Sequence, residues 1–222
     1  MVRNIKKNSS LFDIITQLLF PKLCYSCQKL LADQSSSTSI CPECQAQLEF
    51  ATNQKQTIYS LYKFNPTIQK LIHLLKYKQK KHLGRKLCYM NKKRIIDKLS
   101  PWNIQAIVPV PLYRTRFSQR SYNQSEQIGK ALSSILQIPL YPKACKRIHY
   151  TQSQTKLSKA EREKNLIGVF RSHPKQHFGE KNLLVVDDVL TTGTTLKQVT
   201  LALKKITNGK IYGFTLATAN EK

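Results

Sequence analysis

Residues 183–195 read Leu-Leu-Val-Val-Asp-Asp-Val-Leu-Thr-Thr-Gly-Thr-Thr. Two adjacent carboxylates are followed by four threonines set around one glycine. Asp187 and Asp188 repel a phosphate, so they suit the hydroxyls of a sugar, or a Mg²⁺ ion bound to the acids. Thr191, Thr192, Thr194 and Thr195 supply hydroxyl donors, and Gly193 lets the backbone turn tightly and approach an anion. The pattern suits a phosphorylated sugar, with the acids on its hydroxyls and the loop on its phosphate. An acidic helix cap in a hydroxyl-rich turn explains one Asp or one Thr, but not the whole run. A second set is Cys24-x-x-Cys27 and Cys41-x-x-Cys44. Each knuckle offers two thiolates to one metal, and two knuckles complete a tetrahedron. Four protein ligands leave no open position, so such a metal is structural. Zinc fits this set better than an iron–sulfur cluster, although spacing alone permits both. Disulfides are the third reading. Cys88 and Cys145 stand alone and read as ordinary residues.

The elements that must position these residues follow from periodicity. Leu183–Val186 is a continuous apolar run, as in a strand buried on both faces, and Leu196–Ile206 reads as the helix after it. In an open parallel sheet, ligands dock at the carboxyl ends of strands. The start of the following helix adds unpaired N–H groups and a positive dipole end. Ile58–Phe64, Ala106–Val110 and Ile211–Ala217 read as further strands, the first at an edge. Thr67 to about Leu99 reads as one helix with Leu71, Leu74, Leu75, Leu83 and Leu87 inward. Lys76, Lys78, Lys80, Lys81, His82, Arg85 and Lys86 then form its solvated face. Gln124 to about Leu136 is a second helix, with Arg114, Arg116 and Arg120 in the loop before it. Residues 146–170 are polar and weakly periodic, as in a long functional loop or a helix with a mobile approach. Strands alternating with helices predict an α/β fold with a largely parallel sheet.

Composition narrows the setting. The 222 residues are 41% hydrophobic, enough for one ordinary core and a small accessory module. Lys and Arg number 37 against 12 Asp and Glu, a formal charge of +25. A charge that large points to a polyanionic partner. Tyr62-Lys63, Tyr77-Lys78 and Tyr113-Arg114 pair aromatic with basic residues, which suits stacking on exposed bases together with phosphate contact. At the N-terminus, Leu11, Ile14, Ile15, Leu18 and Leu19 recur at helical spacing, so residues 1–22 read as a short amphipathic helix. Asp13, Thr16 and Gln17 interrupt the apolar stretch and no small-residue cleavage site follows, against a signal peptide. No apolar run is long enough to span a bilayer. These features, with the paired knuckles, place the expected location in the cytoplasm. The basic flank leaves peripheral contact with a membrane surface open.

The strand, acid pair and T-T-G-x-T loop resemble the fingerprint of type I phosphoribosyltransferases. That resemblance implies that Asp187 and Asp188 contact the ribose 2- and 3-hydroxyls and that residues 191–195 hold the 5-phosphate. A wider resemblance, to the ComF family and its ComFC-like competence proteins, spans almost the whole chain. It is carried by Leu19-Phe20-Pro21, both knuckles, Ile72–Tyr77, the Val108–Gln124 run, the Leu157–Phe170 run and Asp187–Thr195. It implies an N-terminal helix and zinc finger over residues 1–50, joined to a type I phosphoribosyltransferase-like domain over 51–222. It also implies binding of phosphoribosyl pyrophosphate with Mg²⁺, handling of single-stranded DNA in natural transformation, and contact with DNA-uptake machinery. Members tied to the use of DNA as a nutrient share the architecture.

Two functional expectations result. In the first, the protein binds phosphoribosyl pyrophosphate and single-stranded DNA and assists DNA uptake. In the second, it is a Mg²⁺-dependent transferase moving a 5-phosphoribosyl group to a nitrogen acceptor. Arg114, Arg116 or Arg162 would then steady the pyrophosphate. The arginines after Pro111 serve either a pyrophosphate or nucleic-acid phosphates equally well. Arg162 would sit on a mobile hood closing over the substrate.

Overall fold

A computed structural model describes residues 19–31, 39–52, 56–77, 80–149 and 168–219. The chain divides into two compact units, Met1–Gln47 and Leu48–Lys222.

The first unit is built on its cysteines. Leu23 and Leu30 form an antiparallel bridge. The chain turns between them through Gln28, whose φ is +65°. Cys24 N–H donates to Lys29 O at 2.8 Å and Gln28 N–H to Cys24 O at 3.0 Å. Helix α1, Pro42–Ala46, starts directly after Cys41. Proline suits that first position because its missing N–H would have no helical partner.

The second unit is an all-parallel four-stranded sheet. Its strands are β1 (Ile58–Lys63), β2 (Ile104–Pro109), β5 (Asn182–Leu190) and β6 (Ile211–Thr218), in the order β1-β6-β5-β2. Connecting helices are α2 (Pro66–Tyr77), α3 (His82–Met90), α4 (Lys92–Leu99), α5 (Arg114–Arg120), α6 (Gln124–Leu136) and α7 (Thr194–Leu203). Two short strands, β3 (Cys145–Arg147) and β4 (Phe170–Ser172), pair antiparallel beside the sheet. Side chains alternate across a strand. Ala106, Val108, Leu183 and Val185 therefore share one core cluster with Leu196, Val199 and Leu203 of α7. Ile107, one residue out of phase, faces α6 on the other side. A Cβ on Gly129 would lie 3.7 Å from Ile107 and 2.8 Å from Leu140, so only glycine permits that approach.

The fold class matches the α/β reading: a parallel sheet with helices, and a four-cysteine cluster ahead of it. Three local expectations need correction. The stretch from Thr67 to Leu99 is three helices. Near 78–81 it holds no apolar residue to pack a turn. At Asn91, φ is −119° and the side chain donates to Leu87 O at 2.9 Å, capping α3. Arg114, Arg116 and Arg120 lie on α5, not in a loop. The third change is in β5, which runs four residues past Val186. Both acids are therefore strand residues, with Asp187 beside Thr215 of β6. The amphipathic helix over residues 1–22, the serine-rich spacer and the hood segment with Arg162 fall largely or wholly outside the described residues.

Neither outer strand presents an open edge. Phe50 bridges Tyr62 antiparallel, with Ala51 N–H donating to Leu61 O and Lys63 N–H to Glu49 O. On the far side, Tyr141 N–H donates to Ile107 O at 2.8 Å, and Ile107 N–H to Pro139 O at 3.0 Å.

Candidate functional site

Local geometry assembles the cysteine centre. The sulfurs of Cys24, Cys27, Cys41 and Cys44 all lie within 4.8 Å of one another. Cys27 Sγ and Cys41 Sγ are 3.6 Å apart. A tetrahedral zinc with Zn–S bonds of about 2.3 Å needs sulfurs about 3.8 Å apart, so the set fits that ion. No disulfide joins these cysteines. Burial pushes the Cys24 thiol up, but N–H donors from Cys41, Cys27 and Ser26 outweigh it and bring it down to about 6. Burial raises Cys44. Four soft donors in one closed cluster can hold a metal such as zinc. Cys88 and Cys145 are buried and pushed up to about 12 by desolvation, so they stay protonated and inert.

The second site lies at the carboxyl end of β5. Asp187 Oδ1 accepts from Ser125 Oγ at 3.0 Å and from the Asp188 backbone N–H at 2.9 Å. Ser125 is the second residue of α6, which is capped by Asn123 through a 3.0 Å bond to Ser125 N–H. The same Asn123 donates from Nδ2 to Val110 O, so one side chain ties the helix start to the end of β2. Asp188 is 5% exposed, and its Oδ2 lies 2.9 Å from Lys76 Nζ at the end of α2. Burial and the neighbouring Asp188 carboxylate push Asp187 up to about 7. Like charges this close resist joint ionisation.

After β5 the chain turns through Gly193, at φ +81° and ψ −2°, and α7 begins at Thr194. A β-branched or bulky residue is strained in that left-handed region. Thr192 and Thr194 hydroxyls share a 2.8 Å bond, and Thr194 is buried. The turn borders an open cleft of about 490 Å³ that also meets Lys197, Tyr212 and Gly213. The acids do not line that cleft.

The arginines separate. Arg114 is exposed and Arg116 half-buried on α5. Arg120 is 7% exposed; its guanidinium donates to Gln124 Oε1 at 3.0 Å and to Tyr77 Oη at 3.3 Å. It braces α6 against α2 and is no free clamp for an anion. Arg162 lies outside the described residues. Tyr62 is likewise unavailable for stacking on a base, being 2% exposed and stacked on Phe50. Tyr77 remains exposed.

Three residues join the site beyond those expected to bind the phosphoribose. Lys76 belongs by sequence to the solvated cations, yet it sits on the buried stripe of Ile68 and Ile72, eight and four residues after them. That spacing was the available signal. Ser125 carried none beyond its place at a helix start. Arg147 on β3 is partly buried, with its guanidinium 5.6 Å from the Phe170 ring centre. Desolvation lowers it to about 10, with Arg116 adding to the fall and Asp187 opposing it, so Arg147 feels both groups.

No family model matches the chain. It is 38% identical over 116 residues to Competence protein F of Haemophilus influenzae, covering 52% of this chain and 51% of that protein. It is 29% identical over 148 residues to DNA utilization protein YhgH of Escherichia coli K12, covering 65% of this chain and 64% of that one. The chain thus spans about half to two thirds of the length of the curated relatives it matches. Among solved structures, an adenine phosphoribosyltransferase overlaps 65% of this chain and 74% of its own at 14% identity, with a TM-score of 0.43. A purine phosphoribosyltransferase from Pyrococcus horikoshii overlaps 60% and 73% at 20% identity, with a TM-score of 0.39. Overlaps this partial leave the fold assignment resting on the strand order and connections described above.

Proposed function

We propose, on the premise that this is a ComF-like protein, that it binds phosphoribosyl pyrophosphate at the end of β5 and acts in DNA uptake or use in the cytoplasm. Single-stranded DNA is its polyanionic partner, and the cysteine cluster holds a structural zinc. One observation carries the ligand reading: an acid pair, Asp188 buried and Asp187 half-buried, stands near the end of a central parallel strand that runs into a glycine turn opening a helix. Asp187 and Asp188 would accept from the ribose hydroxyls. The Thr191–Thr195 turn and the first N–H groups of α7 would take the 5-phosphate. Mg²⁺, bound with the ligand, would spread the pyrophosphate charge. Relatives named for competence and for DNA utilization support the biological setting, as does the charge of +25. Contacts with uptake-machinery proteins belong to the same proposal.

The test is titration calorimetry of Mg²⁺-phosphoribosyl pyrophosphate, paired with labelled single-stranded DNA at rising salt. Saturable binding of both is expected, with DNA affinity falling steeply as salt rises. No heat from the sugar ligand would sink the first half. No DNA binding at low salt would sink the second.

The positive field near Asp187 favours a second reading, phosphoribosyl transfer. Arg147 attracts the Asp187 carboxylate and is itself repelled by Arg116. In such a reaction the C1–O bond to pyrophosphate breaks as a C1–N bond forms to the acceptor. Pyrophosphate leaves with the bonding pair, and the acceptor nitrogen gives up its proton. The guanidiniums would steady the departing charge, with Arg114 and Arg162 as further candidates. Release of pyrophosphate in the presence of a nitrogenous base would promote this reading over simple binding.

A further inference from the structure

A second, shallow and open groove of about 590 Å³ lies where α3 turns into α4, lined by Met90, Asn91, Lys93, Arg94, Asp97 and Lys98. It sits in the most lopsided part of the sequence. Residues 51–125 contain sixteen Lys and Arg but a single acid, Asp97. In α4, Ile95 and Leu99 are buried, while Lys92, Lys93, Arg94 and Lys98 face solvent. A run of cations on a helix is ordinarily a solvated face, and two further features set this one apart. First, the cations border a concave groove and not a convex surface. Second, one of them is held in place. The Arg94 guanidinium lies 3.7 Å from the centre of the Phe50 ring, and that ring stacks on Tyr62 at 5.6 Å with planes 11° apart. Tyr62 is buried, so the stack is anchored in the sheet, while Arg94 and Phe50 stay exposed.

A guanidinium fixed by an aromatic ring on one side offers a planar cationic platform on the other. Unstacked bases use such platforms. Lys98, one helical turn on from Arg94, and Lys93, its sequence neighbour, line the same groove and suit backbone phosphates. Asp97 repels phosphate but accepts from the exocyclic amino group of a base. We propose that this α3–α4 groove is the docking surface for single-stranded DNA, with a base on Arg94 and phosphates on Lys93 and Lys98. The assignment rests on the DNA-binding reading above and adds where the strand lies. A duplex keeps its bases stacked inside and leaves the Arg94 platform unused.

The experiment is fluorescence anisotropy of a labelled 20-nucleotide oligonucleotide on the full chain over a salt series. Four proteins are compared: wild type, the groove variant Lys93→Gln/Arg94→Gln/Lys98→Gln, the single variant Arg94→Lys, and a control, Lys204→Gln/Lys205→Gln/Lys210→Gln. The control removes the same charge from exposed positions elsewhere. The groove variant should bind at least about 10-fold more weakly at low salt, and its log–log salt slope should flatten by about 0.7 per lost phosphate contact. The control should lose less than half of that. Arg94→Lys keeps the charge and loses the plane, so it should weaken single-strand binding several-fold and leave duplex binding unchanged. Equal losses in groove and control variants would overturn the surface while leaving DNA binding intact. Duplex bound as tightly as single strand, with no effect of Arg94→Lys, would overturn the base contact. Absence of binding by wild type would remove the underlying DNA reading itself.

Discussion

The cysteine cluster and the end of β5 are both built from four or five polar residues, yet they differ in how far the chain travels to assemble them. The cluster draws its donors from residues 24 to 44, two tight turns and one short helix. Its geometry is almost wholly local. The acid pair gets its sequence neighbours for nothing, but its electrostatics come from Lys76 on α2, Ser125 on α6 and Arg147 on β3. The first is a closed cluster in which, under the proposed zinc reading, binding the metal and folding would be one event. The second is a site held together by the sheet whether or not a ligand is present. The difference teaches where each breaks: the cluster by losing any donor, the pair by losing a distant neighbour.

The largest effect should come from the cluster. Cys24→Ser removes one thiolate, and metal content should fall from about one zinc per chain to near zero. With it goes a binding energy of about 10–16 kcal/mol that orders this unit. Elemental analysis and the reactivity of the remaining thiols read the result. A zinc content that survives the substitution would erase the contrast with β5.

Next is Asp187→Asn with Asp188→Asn. Binding of Mg²⁺-phosphoribosyl pyrophosphate should weaken by at least about 100-fold, about 2.7 kcal/mol. The melting temperature should change little, because relief of two crowded carboxylates offsets loss of the Lys76–Asp188 ion pair. Loss of fold along with loss of binding would make the two regions alike after all.

Lys76→Met tests the long-range support. It leaves the Asp188 carboxylate buried without its cation, a loss of about 3–5 kcal/mol for a fully buried pair. Lys76 keeps 24% exposure, so about 2–3 kcal/mol is expected after allowing for solvent screening. The effect carries a pH signature. Asp187 titrates at about 7 in the fold, above its value in the unfolded chain. Its contribution to stability is therefore full below about pH 4 and is lost as pH rises through about 7. At pH 6 the pair carries less charge than at pH 8, so chemical denaturation should show a larger deficit for Lys76→Met at pH 8. Equal deficits at both values would disprove the coupling.

The smallest effect is at the turn. Gly193→Ala meets only Leu190 Cδ1 at 3.6 Å, so the cost is backbone strain at φ +81° and not a clash. About 1 kcal/mol is expected, or about 2–4 °C of melting temperature in a unit of this size. Calorimetry should also show phosphoribosyl pyrophosphate binding several-fold more weakly.

The sequence made the local parts visible. Paired knuckles announce a metal site because two residues of spacing fix the sulfurs within one turn. The Leu183–Val186 run and the Asp-Asp-to-Thr-Thr-Gly succession locate a strand, its end and a turn in one reading. Helix α6 was legible because Ile128, Leu132 and Ile135 mark one face, and the structure adds Asn123 as its cap. What stayed hidden depends on contacts between distant elements. Lys76 looks like any other lysine in a basic run until Asp188 is placed beside it. Arg120 reads as an anion clamp until Gln124 and Tyr77 engage it. The break at Asn91 turns on one side chain preferring a carbonyl four residues back over the next helical turn.

The antiparallel strip Glu49–Ala51 along β1 bears on how the protein can be dissected. A fragment begun in the polar stretch after Phe50, where composition suggests a seam, would strip the sheet's flank of its hydrogen-bonding companion. Bare strand flanks recruit other chains. Such a fragment should precipitate or self-associate, whereas one begun at Leu48 should stay monodisperse in solution.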